Sequence, residues 1–387
     1  MSPVSDAERL ARIALSRVVE PGSHEVHEQL RRHTAVEVWE ALRAGAPVGQ
    51  LGQQALEGIA HRVAGYDPSR DLEKLADLDA RVVCPGDEEW PGGLVWEPGV
   101  LGGDVKQMAP PWALFVRGPH PLSEVTRTSV ALVGARAATA YGTHVAGELS
   151  FALSEAGVAI VSGGAYGIDG AAHRAALSAG AAPTVAVLAC GVDVAYPKGH
   201  DRLLAQVAAE GLVVSEVPPA SAPTRVRFLV RNRVIAALSL GTVVVEAARR
   251  SGSLSTAGRA LDLNRQVMAV PGPLTSVQST GCHDLIRSGK AILVTGAADV
   301  LELVGRSGDH LTSPLHGPTS PRDSLDETVR RVLDAVPLRT AVGVARIART
   351  AGVSALVVQQ VLPALLVAGL VQQRDGAWCL TTLGASS

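Results

Sequence analysis

Short apolar runs alternate with stretches of helix length between Ser129 and Val304, and this alternation narrows the folds open to the chain. A run of four or five apolar residues is typical of a strand buried on both faces, and successive parallel strands need a crossover helix. The pattern therefore predicts an α/β fold with a doubly wound, mainly parallel sheet and helices on both faces. The predicted strands are Val130–Val133, Val158–Val161, Thr184–Ala189, Leu212–Val214, Thr242–Val245, Val267–Val270 and Ala291–Val294.

Unusual polar residues are concentrated in the loops that follow these runs. In an open α/β sheet, ligands bind outside the carboxyl ends of the strands. Turn chemistry accounts for the glycines of these loops, but it gives no reason for ionisable side chains to gather at one edge. We therefore expect a functional pocket or groove lined by Arg136, Asp169, His173, Asp193 and Glu246.

A glycine-rich turn, Ser162-Gly-Gly-Ala-Tyr-Gly167, follows the second run and precedes a predicted helix. Glycines allow close backbone approach to a ligand, and the first amides of a helix have no partner within it, so the turn suits a phosphate. A plain tight turn is the alternative. Asp169 and His173 lie four apart on the helix, either as an acid/base pair or as a hydrogen-bonded pair that fixes the helix start.

The segment Arg225-Val-Arg-Phe-Leu-Val-Arg-Asn-Arg233 contains four arginines, no acid and one aromatic residue. Arginines that neutralise phosphates, together with an aromatic ring that stacks on bases, hold single-stranded nucleic acid without sequence preference. The alternative is a solvated arginine face that pairs with acids elsewhere. Since aromatic residues make up only 3% of the chain, the position of Phe228 favours binding.

Several classes of function are disfavoured by what the sequence does not contain. It has no Gly-x-Gly-x-x-Gly, no complete P-loop, no Gly-x-Ser-x-Gly and no metal-ligand spacing, so we expect neither a cofactor nor a metal. The four cysteines are scattered, which disfavours a disulfide framework. A net charge of −2 gives no global signal for nucleic acid. The absence of a secretory pattern or a membrane-length apolar run predicts a cytoplasmic protein without membrane association.

Outside the central region the sequence predicts smaller parts. Residues 1–78 are expected to form a small helical domain, with capping boxes at Ser5–Glu8 and Thr34–Glu37, and 79–128 a loop-rich connector with an entering strand. The Pro-, Ser- and Gly-rich residues 305–324 predict a flexible linker. Residues 325–387 predict a winged helix whose third helix starts at Ser354. That helix has no Lys or Arg, so a protein contact and weak accessory DNA binding both remain open.

Motifs in the central region resemble the DNA-processing protein A family (DprA, also called Smf), and they occur in the family's order. The matching stretches are Val130–Arg136 with Tyr141-Gly142, Ser162–His173, Gly191–Pro197, Ser215–Pro218, Phe228, Arg231–Arg233, Glu246, Ser251–Leu254 and Ala269–Gly272.

The resemblance implies an extended Rossmann-like domain at 129–304 that binds single-stranded DNA, forms homodimers and helps load the RecA recombinase during natural transformation or recombination. Single-strand binding protein is a further candidate partner, and Leu254–Leu263 a candidate dimer face. The implied DNA contacts are Arg136, Thr139, Ser162, Gly163, Gly164, Tyr166, Gly167, Lys198, Arg225, Arg227, Phe228, Arg231, Asn232 and Arg233. Residues expected to shape the pocket are Gly134, Asp169, His173, Asp193, Glu246 and Ser253.

Three positions depart from the commonest family pattern: Tyr166, His200 and Cys282-His283. Two classes of function stay open at this point. A binding protein would hold the strand without making or breaking a bond. A nucleotide phosphoribohydrolase, acting on nucleoside monophosphates, would use the same edge with Glu246 as its acid/base.

Overall fold

The computed structural model describes residues 4–92, 109–305 and 325–385, which fall into two compact units divided between residues 311 and 312. The predicted linker lies outside the described residues except for Gly305. The predicted domain boundaries stay predictions.

The first unit begins with five helices: α1 Asp6–Val18, α2 His24–Leu30, α3 Ala35–Arg43, α4 Gln53–Val63 and α5 Ser69–Asp77. The Thr34–Glu37 capping box is confirmed, because each side chain accepts the other residue's backbone amide. The capping box predicted at Ser5–Glu8 is wrong, because only one of its two hydrogen bonds forms. Ser5 caps α1, but the Glu8 carboxylate accepts from the Ala35 amide and from Arg12 instead, joining α1 to the start of α3.

A nine-stranded sheet dominates the rest of this unit, and all seven predicted strands are confirmed. Its strands are β1 Ala80–Val83, β2 Leu114–Arg117, β3 Ser129–Val133, β4 Ala159–Gly163, β5 Val185–Leu188, β6 Leu212–Ser215, β7 Gly241–Val244, β8 Gln266–Ala269 and β9 Ile292–Leu293. The intervening helices are α6 Leu122–Arg127, α7 Ala140–Glu155, α8 Ile168–Ala179, α9 Asp201–Glu210, α10 Arg225–Ala237, α11 Ser253–Asp262, α12 Thr280–Arg287 and α13 Ala297–Val304.

The strand order is β1-β2-β6-β5-β4-β3-β7-β8-β9, parallel from β6 to β9, with β1 and β2 antiparallel at one end. The predicted α/β fold with a mainly parallel sheet is thus confirmed. Strand β3 is the central one of the seven parallel strands, with Val130 opposite Ile160 on one side and Gly241 on the other. The connector contributes two strands where the sequence predicted one: β1 is a short edge strand that pairs with β2.

Both faces of the sheet are covered by helices. On one face, Ile13 and Leu15 of α1 share a hydrophobic cluster with Phe115, Ala186 and Val213. On the opposite face, residues of α10 pack against the alternate residues of the same strands, Val185, Val187 and Val214. Helices α1 and α10 therefore belong to the layers that cover opposite faces of the β5–β6 region.

The second unit contains α14 Glu327–Asp334, α15 Val344–Ala351, α16 Ala355–Val367, β10 Val371–Arg374, β11 Ala377–Leu380 and α17 Thr382–Ala385. Ser354 caps α16 as predicted, and the hairpin turns at Asp375 and Gly376, both with positive φ. This element order fits the winged-helix prediction, which stays a prediction.

No single helix of the described residues has the length and apolar composition to cross a membrane; only α15 and α16 together, bent by 104°, meet that test.

Candidate nucleic-acid interface

The strand order places a crevice beside the central strand. The chain runs from β3 outward to β6 on one side and then returns to add β7 on the other, so the loops after β3 and β7 diverge. Such a switch point is where open α/β sheets bind ligands. A groove of about 450 Å³ opens there, lined among others by Arg136, Phe228, Arg231, Asn232, Arg250, Ser251, Ser253 and Gln278.

An arginine–aromatic cluster lies at the centre of this groove. The Arg136 guanidinium is 5.2 Å from the centroid of the Phe228 ring, and that of Arg231 is 6.0 Å from it. Tyr196 is a third neighbour, with its ring centroid 5.4 Å from that of Phe228. Arg136 is exposed and Phe228 half-buried, so the cluster presents both a cation and an aromatic surface to a ligand.

A smaller pocket of about 90 Å³ adjoins the cluster and is lined by Tyr166, Tyr196, Phe228, Arg136 and Arg231, among others. The chain has only four tyrosines and three phenylalanines, so the presence of three such rings here is a concentration. The sequence prediction missed Tyr196 as a site residue, although its position in the loop after the third predicted strand was the available signal. It also missed Arg250 and Gln278, which only the folding of the β7 and β8 loops brings to the groove.

The glycine turn after β4 is shaped by close packing. A Cβ on Gly163 would lie 2.7 Å from both Arg231 and Asp169, and one on Gly167, whose φ is +77°, would lie 2.2 Å from the Ala135 carbonyl. Ser162, Gly163 and Gly164 are buried, and the Ser162 hydroxyl donates to the Leu132 carbonyl at 2.6 Å. Residues 165–167 of this turn are exposed or half-buried and Gly164 lines the smaller pocket, so the predicted Ser162–Gly167 contact stays a prediction.

Asp169 and His173 do not form the predicted hydrogen-bonded pair. His173 Nε2 lies 3.0 Å from the Gly163 carbonyl, and Nδ1 lies 2.8 Å from Thr184 Oγ1. Burial lowers the pKa of His173 to about 4, and it raises the pKa of Asp169 to about 6 against the opposing effect of Arg231. His173 thus joins the end of β4 to the start of β5, while Asp169 faces the arginine cluster.

The four arginines of α10 are placed differently from one another. Arg225 is exposed, whereas Arg227 pairs with Glu20 at 2.9 Å. Arg231 is 9% exposed and donates to the Val187 carbonyl, and Arg233 is wholly buried and pairs with Glu216. Arg233 has no exposed surface, so it is not among the contacts proposed below, and its predicted DNA contact stays a prediction. Arg227 and Arg233 therefore pair with acids elsewhere in the chain, which was the alternative to DNA binding for this segment.

Glu246 is buried at the end of β7, where both carboxylate oxygens are occupied. Oε2 accepts from the Thr139 amide at 2.9 Å and Oε1 from the Thr139 hydroxyl at 2.7 Å. The same hydroxyl accepts from the Gly142 amide at 3.1 Å, so Glu246 and Thr139 together cap α7. Thr139 is half-buried and its hydroxyl is engaged in this cap, and its predicted DNA contact stays a prediction.

The remaining predicted residues fall into two groups. Lys198 is exposed, in a short 3-10 turn, and Asn232 donates to the Gly252 carbonyl at the groove. Gly134, Asp193 and Ser253 are structural. A Cβ on Gly134 would lie 2.4 Å from Ile168, Asp193 accepts from the Ala220 amide, and Ser253 bonds Ser251.

The departures from the family pattern have structural partners. The rings of Tyr166 and His200 contact edge to face at 4.8 Å, and His200 Nδ1 lies 3.0 Å from the Gly164 carbonyl. Cys282 is buried, and His283 Nε2 lies 3.0 Å from the Gly272 carbonyl. Within residues 4–92, 109–305 and 325–385, no three His, Cys, Asp or Glu side chains are grouped so as to hold a metal.

Comparison with known proteins gives consistent matches. The sequence model of the DNA recombination-mediator protein A family matches residues 81–305. A Mycobacterium tuberculosis protein with the provisional name DNA processing protein DprA is 44% identical over 96% of this chain and 94% of its own length. The crystal structure of DNA processing protein A from Streptococcus pneumoniae is 29% identical, with a TM-score of 0.58, over 78% of this chain and 98% of that chain.

A structure of the Helicobacter pylori protein, described in terms of a unique single-stranded DNA binding mode, is 26% identical. Its TM-score is 0.49, over 58% of this chain and 95% of that chain.

Proposed function

The chain belongs to the DNA recombination-mediator protein A family, and from that premise we propose that it binds single-stranded DNA in the groove beside β3. The Arg136–Phe228–Tyr196 cluster is the observation on which the proposal rests, because a cation and two partly exposed rings are the elements that grip an unpaired strand. Arg136, Lys198 and Arg225 are the proposed phosphate contacts, with the amides of 165–167 and Arg250 beside them. Phe228, Tyr196 and Tyr166 are the proposed stacking surfaces.

The chemistry at this edge favours binding over bond cleavage. An acid/base at Glu246 would need a carboxylate oxygen directed at the substrate, but Thr139 occupies both oxygens. The phosphoribohydrolase alternative therefore gains no support from the residue on which it depends. The groove also combines arginines with the Phe228 ring, a combination that suits a strand of several nucleotides.

The finer steps of the role are part of the same proposal. The chain passes the strand to the RecA recombinase, has single-strand binding protein as a further partner, and acts in transformation or recombination in the cytoplasm as a homodimer. Leu254 and Leu261 of α11 are only partly buried against the core, which leaves apolar surface for a second copy. Sedimentation of the full chain tests the dimer. RecA filament formation on protein-coated single strands tests the transfer.

We also propose the domain organisation that the sequence predicted: 1–78 helical, 79–128 connecting, 129–304 binding DNA, 305–324 linking and 325–387 winged helix. Since α16 has no basic residue, we propose for the winged helix a protein contact or weak accessory DNA binding rather than tight duplex binding.

The test is a titration of labelled single-stranded and duplex oligonucleotides at several salt concentrations. We expect preference for the single strand and a log-log salt slope of roughly −0.7 per phosphate neutralised. Arg136→Ala should weaken binding and make the slope shallower by about 0.7, because one phosphate contact is lost.

The matched control is Arg43→Ala, which removes the same charge from an exposed arginine paired with Glu40 on α3. It should change neither affinity nor slope. Equal affinity for both kinds of DNA, or equal effects of the two variants, would contradict the proposal. Release of a base from a nucleoside monophosphate, lost in Glu246→Gln, would establish the enzyme instead.

A further inference from the structure

A tight turn links β6 to α10 and sets where α10 begins. Residues 218–221 form it, with the Ser221 amide donating to the Pro218 carbonyl at 3.3 Å. Its third residue, Ala220, has φ +60°, a conformation that favours glycine in a type II turn. An alanine there is strained, so the turn needs support from its surroundings.

Arg17 of α1 supplies one such support from the opposite face of the sheet. Its guanidinium donates to the Pro219 carbonyl at 2.7 Å and to the Ser221 hydroxyl at 3.2 Å. The same group is held from behind by Asp71 of α5, which also accepts from the Tyr66 hydroxyl at 2.7 Å. A planar guanidinium can make all these bonds at once, which an ammonium cannot.

Two further contacts join the amino-terminal helices to the same segment. Lys74 of α5 lies 3.2 Å from Asp193, which in turn accepts from the Ala220 amide at 2.7 Å. Glu20, in the loop after α1, pairs with both Nε and Nη2 of Arg227, the residue next to Phe228. The start of α10 is therefore held on both sides of its cap, Thr224.

We propose that Arg17 is a positioning residue for the DNA interface: it holds the 218–221 turn, and through it the start of α10, so that Arg225 and Phe228 stand where the strand binds. The inference rests on the proposed function. It assigns the amino-terminal helices a task at the interface, although no residue of α1 lines the groove.

Arg9 provides a matched control within the same helix. Its side chain is 25% exposed, as is that of Arg17, and it also makes a two-nitrogen pair with an aspartate, Asp87, and a bond to a backbone carbonyl, that of Val82. Its partners belong to β1 and the turn after it, and they include no residue of α10 or of the 218–221 turn. A purely structural role would make Arg9→Ala and Arg17→Ala equivalent.

The experiment measures single-strand affinity, unfolding free energy and backbone hydrogen exchange of residues 219–230, in the full chain at a temperature where every variant is folded. Arg17→Ala should weaken binding roughly two- to thirtyfold and speed exchange in 219–230, while Arg9→Ala changes neither. Arg17→Lys should regain stability through Asp71 yet still bind weakly, since one ammonium cannot also hold Pro219. Ala220→Gly relaxes the turn, so Arg17→Ala should lose less affinity in that background.

Equal effects of the Arg9 and Arg17 variants, or an unchanged loss in the Ala220→Gly background, would overturn the positioning role while leaving the proposed function intact. Failure of the wild-type chain to prefer single strands would instead remove the proposed function. The exchange of 219–230 would still report whether Arg17 holds the turn.

Discussion

Each half of α10 contains an Arg-x-Arg sequence, but the two halves differ in how deeply they are buried. Residues 225–229 are exposed or half-buried, whereas every residue from Val230 to Ala237 is buried. Each half contains two arginines. In the second half Arg231 still lines the groove with 9% of its surface exposed, whereas Arg233 has no exposed surface. A cluster of charges along a sequence is therefore not a surface patch, because the depth of the helix in the fold decides which arginines a strand can reach.

The buried half depends on compensating charges that the exposed half does not need. Burial raises the pKa of the Glu216 carboxyl, and Arg233 opposes that rise by pairing with it. A buried cation without a partner would lower the free energy of unfolding by several kcal/mol, so each of these two charges depends on the other. On the exposed half, water solvates Arg225, and its charge remains available for a phosphate.

The largest effect should follow from removing Arg233. Arg233→Ala leaves the Glu216 carboxyl buried without this cation, and we expect a loss of about 3–5 kcal/mol in unfolding free energy. Urea unfolding measures it. Arg225→Ala, in the exposed half of the same helix, should lose less than about 0.5 kcal/mol. Similar losses for the two would erase the proposed difference between the halves.

Asp169 faces Arg231, which lies at the start of the buried half of α10, so its titration reports on the environment at that point of the helix. Because burial raises its folded pKa to about 6, above its ordinary 3.8, the folded state binds more protons between about pH 4 and pH 6. Its contribution to stability is full below that window and is lost as the pH rises through it, by at most about 3 kcal/mol.

Asp169→Asn cannot titrate, so the unfolding free energy of the variant should rise relative to the wild type from pH 4 to pH 7. The pKa of His173, lowered by burial, has the opposite effect, but it is present in both proteins and cancels in the difference. Urea unfolding at four pH values measures this. A difference that stays constant with pH would mean that Asp169 is not held in the proposed environment.

The sheet could be predicted from the sequence because its strands are buried on both faces and so appear as continuous apolar runs. Strand β1 was missed, because Ala80-Arg-Val-Val83 is short and the charged Arg81 interrupts its apolar run. A charged side chain is tolerated there because β1 is an edge strand. The edge on which polar residues gather was predicted correctly, because parallel strands place all their carboxyl ends together.

The site could be predicted only as a region. Sequence spacing could not distinguish Arg225 from Arg233, since both lie on one helix and only the packing of α10 against β5 and β6 separates them. Nor could it show that Thr139 donates two hydrogen bonds to the Glu246 carboxylate, or that Arg250 lines the groove. These contacts link loops about a hundred residues apart.

Phe228 should affect binding more than stability, because it is half-buried in the exposed half of α10. Phe228→Ala should weaken single-strand affinity by about 1–3 kcal/mol, the usual effect of losing one stacking ring. Tyr196→Ala should weaken it less, and the two losses together should fall short of their sum because the rings contact each other. Additive losses in a titration of all four proteins would separate the rings into independent sites.

The smallest effect should come from the exposed arginine at the start of the helix. Arg225→Ala removes one phosphate contact, which should make the log-log salt slope shallower by about 0.7 and leave the unfolding free energy nearly unchanged. Arg227→Ala should change the slope less, because Glu20 already occupies its guanidinium and a phosphate must displace that carboxylate. Equal slopes for the two variants would mean that a phosphate displaces Glu20 from Arg227. Arg227, beside Phe228, would then contact the strand in the same way as Arg225.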